Sequence, residues 1–161
     1  MNPEQVALRI NELYEQEART QLDPNHADWK ARLAASHERR VEVLGFLEQR
    51  LVTSSEALYQ AAVIFQNGGT SEFYKLAHQL AERAMELGSL KARWIYAAAM
   101  DRYLLSNGKL QKFGTQMVQT IDGRRSLQPV EPTTTDEERL KYGVPSLVEL
   151  ERRVLEWNAK L

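Results

Sequence analysis

The chain has 161 residues, 43% of them hydrophobic and 27% charged, with no cysteine. That length supports one domain with its own core, and the lack of thiols excludes a disulfide framework, a cysteine-ligated metal and a thiol nucleophile. With 21 lysines and arginines against 22 acidic residues, a net charge of −1 offers no global pull toward nucleic acid or an anionic membrane.

The opening Met1-Asn2-Pro3-Glu4-Gln5 has neither a basic nor an apolar leader segment. No apolar run approaches the roughly 20 residues that span a bilayer, so a cytoplasmic protein is expected. Pro3 suits a first helical turn, and Val6, Ile10, Leu13 and Tyr14 then share one helical stripe, with Glu12, Glu15 and Glu17 assigned elsewhere. Asp23-Pro24-Asn25 signals a turn. A second amphipathic helix carries Trp29, Leu33, Val41, Leu44 and Leu47, with His37-Glu38-Arg39-Arg40 as its solvated face. Thr53-Ser54-Ser55-Glu56 caps a third helix bearing Leu58, Ala61, Ala62, Ile64 and Phe65, which Gly68-Gly69 ends. Thr70 or Ser71 opens a fourth, with Phe73, Leu76, Ala77, Leu80, Ala81, Ala84 and Met85, stopped by Gly88. Ser89 caps a fifth, running through Trp94, Ile95, Ala98, Leu104 and Leu105 to Asn107-Gly108.

The period then changes. Residues Thr115 to Ile121 and Arg124 to Gln128 flank Asp122-Gly123, a strong hairpin signal. A two-residue turn there sets Val118 opposite Leu127. Pro129 and Pro132 fit the end of an edge strand. Thr135 or Asp136 opens a short helix that Gly143-Val144-Pro145 breaks, and Ser146 caps a last helix carrying Leu147, Leu150, Val154, Leu155 and Trp157. The expectation is a mainly α, single domain over residues 1–161: a compact bundle of six to seven helices with one inserted β-hairpin near 115–128.

Two resemblances sharpen this reading. The block from Tyr74 to Gly88, followed by Lys91-Ala92-Arg93-Trp94, resembles the helix pair of Sel1-like and tetratricopeptide repeats, over about one and a half units. The strings Ala61-Ala62-Val63-Ile64-Phe65-Gln66-Asn67-Gly68, Asp101-Arg102-Tyr103-Leu104-Leu105 and Gln111-Lys112-Phe113-Gly114-Thr115-Gln116 are similar to a bacterial family of helical proteins, the DUF6624-like group. That family pattern has a Gln-His pair and a Gln-Lys/Arg-Tyr-Gly-Thr-Gln segment. Here Asn67 stands at the histidine position and Phe113 at the tyrosine. The resemblance implies a shared fold and polar site, with no histidine base in this chain.

The candidate site follows from burial. Asp101 has Ala97, Ala98, Leu104 and Leu105 as helical neighbours, so its carboxylate is pushed inward and needs a partner. It either fastens the bundle or serves as a catalytic acid, with Arg102 or Lys112 as an anion clamp. Gln111, Thr115 and Gln116 supply neutral donors and acceptors around Gly114, as a structural corner or as the lining of a small-ligand pocket. Gln66 has Ala62 and Val63 one turn back. Asn67 reads as a helix C-cap or as a site residue that cannot titrate. At least two of Gln111, Thr115 and Gln116 are expected in the same interior space as Gln66 and Asp101.

His26, His37 and His78 lack metal-ligand spacing, and His26 beside Asp23 and Asp28 reads as a solvated loop. No metal or cofactor is expected, and no GxGxxG, Walker A or GxSxG motif is present. Arg124-Arg125 reads as a solubilising hairpin tip, with no nucleic-acid or membrane partner. Two functions remain open. One is a small-molecule-binding protein, with or without catalysis, whose neutral-polar pocket takes a small polar or anionic ligand. The other is a helix-repeat-like protein-interaction module without enzymatic activity, presenting Tyr59, Val63 and Phe65.

Overall fold

The computed structural model describes residues 1–22 and 28–161. Among them, seven helices and one antiparallel hairpin follow in chain order: α1 Pro3–Leu22, α2 Trp29–Glu48, α3 Ser55–Gln66, α4 Ser71–Glu86, α5 Ala92–Ser106, β1 Met117–Gln119, β2 Arg125–Leu127, α6 Asp136–Lys141 and α7 Leu147–Ala159. The expected turn at Asp23-Pro24-Asn25 and the His26 loop lie outside the described residues. No helix among the described residues is long and apolar enough to cross a membrane.

Side-chain caps start most helices where the sequence indicates. Ser54, Thr70, Thr135 and Ser146 accept from the amides of Ala57, Phe73, Glu138 and Glu149, each three residues on. Ser89 differs from expectation. Its amide donates to Ala84 O at 2.9 Å and so closes α4, while α5 begins after Lys91 with no side-chain cap. Gly88, at φ 92°, turns the chain for that closure.

Small residues set the packing. Ala61, Ala62, Ala77, Ala81, Ala84, Ala92 and Ala99 are buried in one core with Val6, Ile10, Leu13, Leu58, Ile64 and Phe65. Methyl-sized side chains let helix backbones approach closely, and α3, α4 and α5 are the most extensively packed helices. A second, smaller core gathers Ala97, Phe113, Val144 and Leu150, with Tyr96, Met100, Leu127 and Tyr142 against it. α5 serves both cores and holds them together.

Three helical faces differ from the expected ones. In α2, Trp29, Leu33 and Val41 are exposed, and Ser36, Arg39, Arg40 and Val43 are buried. The cause lies in α1, where Glu17 continues the Val6, Ile10, Leu13 stripe and is only 1% exposed. A buried carboxylate needs a cation, so α2 turns its arginines inward. In α3, Phe65 is a core residue, which removes it from the face assigned to a partner, while Tyr59 and Val63 are half-buried. In α7, Leu155 points to solvent and Leu150 is the buried residue.

The hairpin is present with its register moved by one residue. Met117 opposes Leu127, Val118 opposes Ser126 and Gln119 opposes Arg125. The loop has three residues. Thr120 and Arg124 close it with a 2.9 Å bond, Gly123 N–H donates to Thr120 O, and Gly123 takes φ 84°. This is the type I turn plus left-handed glycine that suits three-residue hairpins. Asp122 selects it by accepting from Thr120 Oγ1 and from Arg124 N. Both strands are short, and β1 is exposed throughout.

Candidate functional site

Asp101 sits on α5, in the part of the helix shared by both cores, and is 0% exposed. Beyond Asn107 and Gly108 the chain folds back across the helix, bringing residues 111–116 over the carboxylate. Oδ1 accepts from the backbone amides of Lys112 at 2.7 Å and Phe113 at 2.8 Å. Oδ2 accepts from the amide of Thr115 at 2.9 Å and its hydroxyl at 2.7 Å. Gly114 makes this wrap possible. It has φ 93°, and a Cβ there would lie 3.0 Å from Leu150 Cδ1.

Gln111 is also fully buried, and its side chain acts as a short piece of strand. Nε2 donates to the carbonyls of Gln116 at 3.0 Å and Gln128 at 2.8 Å, and Oε1 accepts from Gln116 N at 2.9 Å. Its own backbone pairs with the segment after β2, through Gln111 N to Pro129 O and Glu131 N to Gln111 O. One glutamine thus grips the base of both strands. Buried Arg139 adds a further tie, donating Nε to Phe113 O at 3.0 Å and Nη1 to Thr134 O at 2.9 Å.

The remaining members extend the network to α3. Gln116 Nε2 donates to Thr115 Oγ1 at 2.9 Å. Arg102 donates Nε to Gln116 Oε1 at 3.1 Å and Nη1 to the Gln66 carbonyl at 2.6 Å. A cation at this carbonyl complements the negative end of α3. Burial pushes the Arg102 guanidinium below the ordinary arginine value, with nearby Tyr74 opposing the shift. The path Gln66, Arg102, Gln116, Thr115, Asp101 is therefore continuous. Thr115 bonds Asp101 directly, Gln116 reaches it only through Thr115 Oγ1, and Gln66 joins through its backbone carbonyl. Lys112 contributes its amide, while its ammonium pairs with Glu138 at 3.1 Å near the surface. Asn67 belongs elsewhere: it caps α3, and Nδ2 reaches Glu17 Oε1 at 3.4 Å.

Glu17 anchors a second polar cluster that the sequence reading missed. It accepts from Arg39 Nε at 2.8 Å and from Ser36 Oγ at 2.7 Å, and Arg39 also donates to Thr20 Oγ1. Arg40 beside it is buried over the Phe73 ring, 5.4 Å from the centroid, and desolvation pushes its guanidinium below the ordinary value. The available signal was the position of Glu17, four residues after Leu13 and seven after Ile10.

Around the hairpin tip, exposed apolar side chains sit among polar ones such as Asp122 and Arg124. Ile121 is fully exposed, and Leu161 and Trp157 are exposed close to Gly123. Trp157 Nε1 donates to Gly123 O at 3.0 Å, and Arg125 stacks on its ring at 3.5 Å. The Asn158 amide pairs with both backbone groups of Arg125, each bond 2.8 Å long, which fixes β2 to α7. An open groove of about 870 Å³ lies here between the hairpin tip and Asn158.

No family model matches this chain, nor does any curated protein or solved structure.

Proposed function

We propose that this chain is a non-catalytic binding module whose docking surface is the hairpin tip together with the C-terminal part of α7. The observation that carries the reading is the open groove of about 870 Å³ beside Ile121, with Trp157 and Leu161 exposed around Gly123. Exposed apolar groups gathered at one end of the fold favour association with another polypeptide. Asn158 and the Arg125–Trp157 stack hold that surface in place before any partner arrives. The partner is read as a segment with a bulky apolar side chain that packs on Ile121 and Trp157.

The polar network supports the same reading from the other side. A catalytic acid needs a free position for the reacting proton, whereas the Asp101 carboxylate accepts four bonds from its own chain. Gln111, Thr115 and Gln116 bond one another and the backbone, in place of lining a space for a small ligand.

Selection from a random-peptide display library on the immobilised protein tests the proposal. Enriched peptides should carry bulky apolar residues, and Ile121→Asp should weaken their binding at least tenfold without lowering Tm. Failure to enrich any peptide, or peptides that bind Ile121→Asp as well as wild type, contradicts the reading.

A further inference from the structure

A second site lies at the corner between α2 and α3, away from the hairpin. α2 ends at Glu48 with Gln49 as its C-cap, and the chain then passes through Arg50 at φ 57°, the one non-glycine residue with positive φ among the described residues. The geometry is the usual helix-ending turn: Arg50 N–H donates to Leu47 O, and Leu51 N–H to Phe46 O, both at 3.0 Å. Glycine fills this position without strain, and a side chain there carries a backbone cost. Backbone strain held by its surroundings is a pointer toward function when other features at the same place agree.

They agree here. Arg50, Thr53, Leu47 and Val52 form a cavity of about 410 Å³ with Arg83 of α4. Neither Arg50 nor Arg83 has a carboxylate within 4.0 Å among the described residues, although Glu48, Glu82 and Glu86 are close in sequence. Some surface arginines elsewhere do find acids: Arg9 pairs with Glu42 and Arg152 with Glu149. Glu56, in the first turn of α3, is turned to Lys91 at 3.2 Å. Two guanidinium groups on one cavity repel each other, and a shared anion relieves that repulsion.

We propose that this cavity binds a small phosphomonoester. Two planar guanidinium forks and the Thr53 hydroxyl match the three terminal oxygens of a phosphomonoester. Leu47 and Val52 give the compact carbon skeleton of the ester an apolar floor. A volume of about 410 Å³ exceeds the need of bare phosphate and lies in the range of small-ligand pockets. At this strained position Arg50 supplies a fork that glycine lacks, and so completes the site. The site is independent of the peptide-docking surface.

The test is a titration at constant ionic strength with glycerol 3-phosphate, inorganic phosphate and neutral glycerol, read by NMR at the arginine Nε–Hε resonances. Saturable shifts are expected at Arg50 and Arg83, tighter for the ester than for inorganic phosphate and absent with glycerol. Arg83→Gln should weaken binding at least tenfold. Arg50→Gly should do the same while raising the Tm of the ligand-free protein by about 2–4 °C, because it removes the strain. The surface variant Arg19→Gln should bind as wild type. No saturable shift in wild type, unchanged binding by Arg50→Gly and Arg83→Gln, or equal shifts at Arg19 would each overturn the assignment.

Discussion

A carboxylate taken out of water has to replace its hydration with donors, and Asp101 obtains four from the segment it anchors. Asp101→Asn exchanges one acceptor oxygen for a donor facing other donors. Two buried amides, or the amide and hydroxyl of Thr115, then lose their acceptor. The expected cost is about 3 kcal/mol, seen in urea denaturation as a lower midpoint at unchanged slope. A variant as stable as wild type would show that these bonds do not hold the corner. The inward direction of Asp101 was legible because apolar residues surround it at helical spacing. The partners were less so. That Gln111 would bond the base of both strands depends on three-dimensional closure, and a string of polar residues reads equally well as a pocket lining. Glu17 shows the converse error, since its place on the α1 stripe outweighed its charge, and Arg39 and Arg40 followed it inward.

At the level of elements, caps and breakers were the reliable signals. Ser54, Thr70, Thr135 and Ser146 each act as local chemistry dictates, because an N-cap bond reaches only three residues. The hairpin was legible from Asp122-Gly123, but its register was not. The Thr120–Asp122 side-chain bond favours a three-residue loop, and that single added residue exchanges the faces of the strand. The register makes a direct prediction. Met117 opposes Leu127 in a non-hydrogen-bonded pair, where the two Cα atoms are closest. A strong Hα–Hα nuclear Overhauser effect is expected between Met117 and Leu127, and another between Gln119 and Arg125. A cross-peak linking Val118 Hα to Leu127 Hα in their place would restore the two-residue turn.

On the scale of the whole molecule, the chain is two cores on one helix. α1 to α5 form the larger, and α5 with Phe113, Val144 and Leu150 forms the smaller, which carries the hairpin and α7. The second core is too small to hold an exposed hairpin by apolar burial alone, so the buried Asp101, Gln111 and Arg139 fasten it with hydrogen bonds. This arrangement gives the polar residues a mechanical task and leaves recognition to the surface that they support. Native-state hydrogen exchange at the amides of Lys112, Phe113 and Thr115 tests it most directly, since all three donate to Asp101. In wild type these amides should be protected to nearly the level of the α3 and α4 core. In Asp101→Asn they should lose at least a hundredfold of that protection relative to α3 and α4. Rapid exchange of all three in the wild-type protein would contradict a fastened corner and return Asp101 to the role of a free acid.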